Sequence, residues 1–259
     1  MIRRYQAAWL LAAAVAMVGI GLLLPRTPQS ESYHDFADQR TWMGIPNFGD
    51  VASNLPFAAF GLWGLAFLLR LKPAELDLRF MDRLERTHYL LVFVGLLLTA
   101  LGSSYYHLAP DNARLVWDRL PMTLVFMAMV AAVIAERVSI RLSLWLLPLL
   151  LMLGAESVLQ WYASELRGAG DLRLYAGVQV YSALVLLLAL LSPSRYTCKS
   201  DFAVVLGFYV LAKVLEATDK QIFNAGHLVS GHTLKHFAAA AAGYWILRML
   251  QRRIILLPT

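Results

Sequence analysis

Residues 89–107 read YLLVFVGLLLTALGSSYYH, an uncharged run as long as a bilayer-spanning helix that ends in a cluster of polar groups. After a gap of ten residues, Asp118-Arg119-Leu120-Pro121-Met122 opens a second apolar run, and His232 and His236 stand at the start of a later one. A charged or imidazole side chain in a span costs several kcal/mol unless it finds a partner, so these residues are functional candidates.

Working outward, the chain contains eight apolar stretches of spanning length: Ala7 to Leu24, Val51 to Leu69, Tyr89 to Tyr106, Leu115 to Ala135, Leu142 to Ala163, Leu174 to Leu191, Phe202 to Thr218 and His227 to Leu247. With 59% hydrophobic and 15% charged residues and a mean hydropathy of +0.58, the 259 residues are those of a polytopic membrane protein. The expected fold is an all-α transmembrane helical bundle, with a seven-span core over residues 38–250 and one extra N-terminal span within residues 1–30. There is no internal repeat, low-complexity tract or second core, so residues 1–259 read as a single membrane domain. The first stretch also has the outline of a signal peptide, but Leu24-Pro25-Arg26-Thr27 lacks a small-x-small cleavage site and the run is long, which favours an uncleaved anchor. The lone Cys198 excludes an intrachain disulfide.

Loop charge sets the expected orientation. Arg3, Arg4, Arg70, Lys72, Arg79, Arg83, Arg86, Arg137, Arg141, Arg195, Lys199, Arg248, Arg252 and Arg253 fall on one side. Arg26, Arg40, Arg114, Arg167, Arg173 and Lys220 fall on the other. Fourteen basic residues against six place both termini in the cytoplasm by the positive-inside rule. The formal charge of +6 is then a topology signal, and no nucleic-acid partner is expected. The segment Pro25 to Asp50 lies outside and is long enough to cap the bundle.

In this topology His107, Asp118, His232 and His236 reach one depth near the extracytoplasmic face. Residues four apart share a helical face, so His232 and His236 can offer two nitrogens to one ion, with His107 as the third ligand. Three neutral imidazoles leave one tetrahedral position open, the pattern of catalytic zinc, which polarises carbonyls and acidifies water. Ser103 shares a face with His107 and is suited to a developing oxyanion, while Asp118 is suited to take a proton or orient an imidazole. Alone, the His pair would read as interfacial histidines and Ser103 as a packing serine; their coincidence at one depth favours a site.

Gly102-Ser103-x-x-Tyr106-His107, Asp118-x-Leu120-Pro121-Met122 and His232-x-x-x-His236 resemble the alkaline ceramidases, members of a seven-span hydrolase superfamily that also contains adiponectin- and progestin-type receptors. Asp219-x-x-Ile222-Phe223 and Ser53-Asn54 add weaker similarity, so the resemblance runs from about residue 38 onward. It implies a zinc-dependent amidase that cleaves the N-acyl bond of ceramide to a sphingoid base and a fatty acid. His107, His232 and His236 would bind zinc, and Ser103 and Asp118 would assist catalysis. Ceramide itself comes from the resemblance alone. Two departures stand out. The acidic calcium-binding segment of the animal enzymes corresponds to residues 38–47, where Arg40 adds a positive charge and Asn47 replaces a glutamate; Asp38, Asn47 and Asp50 are few oxygens for calcium, which argues against it as a second cofactor. Lys235 stands between the two histidines where the animal enzymes have an aromatic residue, and the N-terminal span is extra.

Lys213 and Glu216, three apart, read as a structural ion pair. Glu156 is a candidate for a cavity wall or a headgroup contact, and His34, His88 and His227 read as surface histidines. The expected partner is a membrane lipid rather than another protein, and the short loops point to a bacterial inner membrane. The competing readings are a metal-containing receptor of the adiponectin or progestin type, a hydrolase of a non-sphingoid N-acyl lipid, a haem protein and a transporter. Haem calls for histidines facing across the bundle, and a transporter for broken helices and a repeat.

Overall fold

The computed structural model describes residues 2–256; Met1 and residues 257–259 lie outside it, as do the side chains of Ile2, Arg3 and Arg4, part of the basic N-terminal flank. Among the described residues the fold is all-helical, with two isolated β-bridges and no strand. The long helices are α1 (Ile2–Leu23), α3 (Leu55–Arg70), α5 (Glu85–Leu108), α6 (Asn112–Arg137), α7 (Ile140–Leu166), α8 (Arg173–Leu191), α9 (Asp201–Ala217) and α11 (Gly231–Arg252). Short helices α2 (Phe48–Ala52), α4 (Pro73–Arg79) and α10 (Asp219–Gly226) lie between them, and a single 3-10 turn covers Glu31–His34.

Each expected span has a helix within a few residues of its bounds. The last one starts later than expected, at Gly231, because Ser230 caps it through the Thr233 N–H while His227, in a left-handed conformation at φ 52°, ends α10. Among the described residues six helical segments are long and apolar enough to cross a membrane, and the chain is a multi-pass membrane protein by that measure. They are α1, α2 with α3, α5, α6, α7 and α8. α9 falls short in length, with 17 residues, and α11 carries His232, Lys235, His236, Arg248 and Arg252.

α6 runs through the centre, packed on α5, α7 and α8, and every residue from Met127 to Arg137 is buried. α11 packs on α9 and α3, and α3 on α5. On the rim, α1 leans on α8 while Trp9, Leu11, Val15 and Val18 stay exposed. Such an apolar face is unfavourable in water and natural in hydrocarbon, where a helix already satisfies its own backbone.

Glycine and proline set the α5–α6 contact. Pro121 has no N–H to give the Trp117 carbonyl four residues earlier, and its ring pushes that carbonyl aside. The carbonyl enters the notch at Gly102, where an added Cβ would lie 1.9 Å from Trp117 O. The helices therefore meet at the level of Ser103 and Asp118, both buried.

The far ends of the same helices hold a second polar cluster. Arg253 pairs with Glu136 and its guanidinium lies over the rings of Phe80, Tyr89 and Tyr196. Tyr89 donates to Glu136 at 2.6 Å and Tyr196 to Glu85 at 2.5 Å. His88, expected at the surface, is instead fully buried, with Nε2 2.8 Å from Ser143 Oγ, because the start of α5 is covered by α6 and α7.

Candidate metal centre

α5 delivers His107 at its last turn, and α11 delivers His232 and His236 on one face of its first two turns. One ring nitrogen from each lies within 4.8 Å of the others, and ring centroids are 4.9–5.0 Å apart in all three pairs. All three residues are buried. Neither nitrogen of His107 has a hydrogen-bond partner, and neither has Nε2 of His232. Buried polar atoms are nearly always paired, so three converging imidazoles, two of them with orphaned nitrogens, fit a metal ion. The cluster can hold such an ion; imidazole donors suit zinc, copper, iron and nickel alike.

Surrounding groups fix the ligands' orientation. Ser53 Oγ lies 2.7 Å from His236 Nδ1, leaving Nε2 to face the cluster. Asp219 accepts the backbone N–H of His232 at 2.7 Å through one oxygen and that of Ala37 at 2.9 Å through the other. Gly231 lets α11 start this close: an added Cβ would lie 2.3 Å from Leu215 O and 2.7 Å from Asp219 Cα. Asn47 donates to the His107 carbonyl at 2.8 Å, and Asp50 accepts from Thr233 Oγ1 at 2.7 Å. Ser53 and Asp219, weak signals in the sequence, thus frame the cluster, and partners of this kind stiffen metal ligands.

The stretch from Pro25 to Asp50 does cap the bundle. Leu172 N–H donates to Thr27 O, and Gln29 N–H to Glu165. His34, only half-buried, bridges Tyr106 Oη at 2.8 Å and Asn112 at 3.0 Å. Phe36 packs against the cluster, its ring centroid 4.7 Å from that of His107 at a tilt of 53° and 4.4 Å from that of His232 at 61°. Nothing in the pattern of a 26-residue loop singles out Phe36; its role follows from the tertiary path alone. In the segment weighed for calcium, Arg40 engages Asp38 at 2.7 Å and holds its carboxyl below the usual carboxylate range. Asn47 is turned to the His107 carbonyl, and one oxygen of Asp50 to Thr233.

On the side away from Phe36, a cavity of about 380 Å³ opens, lined by His236, Ser103 and Asp118. Its polar end also receives Arg119, Lys213, Glu216 and Lys235, and its body is apolar, reaching along α6 to Met129 and along α11 to Ile246. Ten residues of helix from His236 to Ile246 give it a length of about 15 Å. The expected Lys213–Glu216 pair forms at 2.9 Å, and Lys235, unassigned from sequence, joins it at 2.7 Å. Glu156 is exposed on the outer face of α7 and takes no part in the cavity, which removes the cavity-wall reading for it. His227 is exposed, as expected.

Compared with known proteins, the chain matches no family model and no curated sequence.

Proposed function

We propose that this chain is a zinc-dependent intramembrane amidohydrolase that cleaves the N-acyl bond of ceramide or a related lipid amide, giving a fatty acid and an amine. The observation that carries the reading is a buried histidine cluster, two of its members with unpartnered nitrogens, whose third member His236 lines the polar end of a long apolar cavity beside a hydroxyl and a carboxylate. An acyl chain suits the apolar body, and its amide then lies beside His236, Ser103 and Asp118. The motifs quoted for the ceramidase resemblance fall on these residues, and zinc is taken from that resemblance and from the all-nitrogen donor set.

His107, His232 and His236 would hold the ion. When bound, zinc supplies a Lewis acid for the amide carbonyl and lowers the pKa of water at the site. The Ser103 hydroxyl donates to the carbonyl oxygen as charge gathers there. Asp118 takes a proton at a carboxylate oxygen and returns it to the departing nitrogen, without which the amine is a poor leaving group. Ser53 fixes the ring of His236, and Phe36 keeps bulk water off the outer face of the cluster. In this reading α9 and α11 also cross the membrane, completing a seven-span core with α1 as an additional span. Both termini are cytoplasmic, and the site is near the extracytoplasmic face of a bacterial inner membrane.

The test is release of fatty acid from labelled ceramide by purified protein in detergent, before and after zinc stripping, with His236→Ala alongside. Metal-dependent release that the variant lacks is the expected result. Metal bound in stoichiometric amount with no release would reject ceramide and leave a receptor of the adiponectin or progestin type as the competing account.

A further inference from the structure

The polar end of the cavity is more strongly cationic than a neutral lipid amide requires. Arg119, Lys213 and Lys235 face it together with two carboxylates, Asp118 and Glu216, an excess of one positive charge before any metal is counted (3 − 2 = 1). Glu216 is consumed by the lysines, at 2.9 Å from Lys213 and 2.7 Å from Lys235. Arg119 makes no ion pair among the described residues. It is 4% exposed, and Nη2 donates to Gln29 Oε1 at 2.6 Å. Its guanidinium lies 4.2 Å from the Trp161 ring centroid, 4.6 Å from that of Tyr175 and 5.4 Å from that of Tyr33. Nη1 is buried without a partner.

An arginine clamped by three aromatic rings is fixed in place, and one that is fixed, charged and short of an acceptor is a preorganised anion receptor. Tyr33 joins the two halves of this rim: its ring meets Arg119 and its hydroxyl donates to Glu216 at 3.3 Å. The rim therefore faces whatever group is attached to the nitrogen of an amide whose acyl chain fills the apolar body.

Building on the amidase reading above, we infer that the preferred substrates are N-acyl lipids whose amine-side headgroup is anionic, bearing a carboxylate, sulfonate or phosphate, and that Arg119 is the residue that selects them. Ceramide, with two hydroxyls, is then a poorer ligand. The anion accepts a charge-assisted hydrogen bond from Nη1, and Lys235 adds its field from α11.

The test uses the full chain in a neutral detergent and two probes with the same acyl chain and amide, N-dodecanoyltaurine and N-dodecanoylethanolamine. The sulfonate is a weak zinc ligand, so its recognition reports on the protein. By calorimetric titration the taurine conjugate is expected to bind about 10- to 100-fold more tightly, in zinc-loaded and zinc-stripped protein alike. Arg119→Gln removes the preference while leaving the ethanolamine conjugate within about twofold. Because that variant also loses the aromatic stack, Gln29→Glu serves as the second: it keeps the stack and neutralises Arg119 from within, and it too abolishes the preference. Equal binding of the two probes by the native chain overturns the inference, as does a preference that survives Gln29→Glu. Fatty-acid release measured on the same samples separates the two readings. A preference without release refutes the amidase and leaves the anion site standing; release without a preference does the reverse.

Discussion

The two ends of the α5–α6–α11 bundle both bury charge, yet they do so in opposite ways. At one end Arg253, Glu136, Tyr89, Glu85 and Tyr196 are tied to one another and packed against rings; Nε and Nη2 of Arg253 have no partner, but none of the five residues lines the cavity described above. At the other, His107, His232 and Arg119 keep nitrogens without partners, and Arg119 and His236 line a cavity of about 380 Å³. Burial of polar groups is common to both. What marks the second as a candidate site is the convergence of three imidazoles, one of which, His236, opens on the cavity, and the first reads as a structural clasp joining the end of α11 to α5 and α6.

That contrast can be broken most severely at the ligands. His236→Ala should reduce bound metal from one per chain to a trace and lower hydrolysis by well over the roughly 10- to 100-fold typical of losing a supporting partner, while the melting of the metal-free protein barely moves. Normal metal content in that variant would dissolve the distinction between the ends. Asp118→Asn sharpens it, since the side chain keeps its shape: metal should remain and the rate fall by about 10²- to 10⁴-fold. A rate within a few-fold of the native one would remove Asp118 from catalysis. In the clasp, Glu136→Ala leaves Arg253 buried without its carboxylate, so stability should fall by about 3–5 kcal/mol in a detergent unfolding titration, with metal affinity of the folded fraction unchanged. Ser53→Ala frees the ring of His236 and should weaken metal binding by about 10- to 100-fold without altering the fold. Smallest of all, Glu156→Gln on the exposed face of α7 should leave metal, rate and melting as they were; a loss of rate would bring that face into the site.

Much of this was legible before any coordinates. Apolar runs located the helices, since length and hydropathy are local properties, and the spacing of His232 and His236 with the polar terminus at His107 marked the cluster, because four residues define a helical face. Less legible was anything that depends on how helices rotate about one another. Ser53 meets His236 across 183 residues, and Asp219 reaches His232 only because Gly231 removes the obstacle between them. His88 carries no mark of burial in its own neighbourhood; α6 and α7 supply it. Arg119 read as a charge inside a span, with no hint that Trp161, Tyr175 and Tyr33 would gather on it. Glu156 misled for the complementary reason: a carboxylate in a span reads as facing the interior, whereas the rotation of α7 sets it on the exposed face.

The cluster draws its ligands from α5 and α11, and His107 is separated from His232 by 125 positions (232 − 107). An ion bound there would close a loop that includes α6 through α10. Closing so long a loop is entropically costly in an unassembled chain and nearly free once the helices have packed. Metal binding there would therefore be linked to the late stages of assembly: while the chain is being inserted, α5 would wait with one imidazole, and the three histidines would be brought together only when α11 has docked. Acquisition of the ion would serve as a readout of completed folding, with partly assembled chains remaining metal-free and hence inert toward the lipids around them.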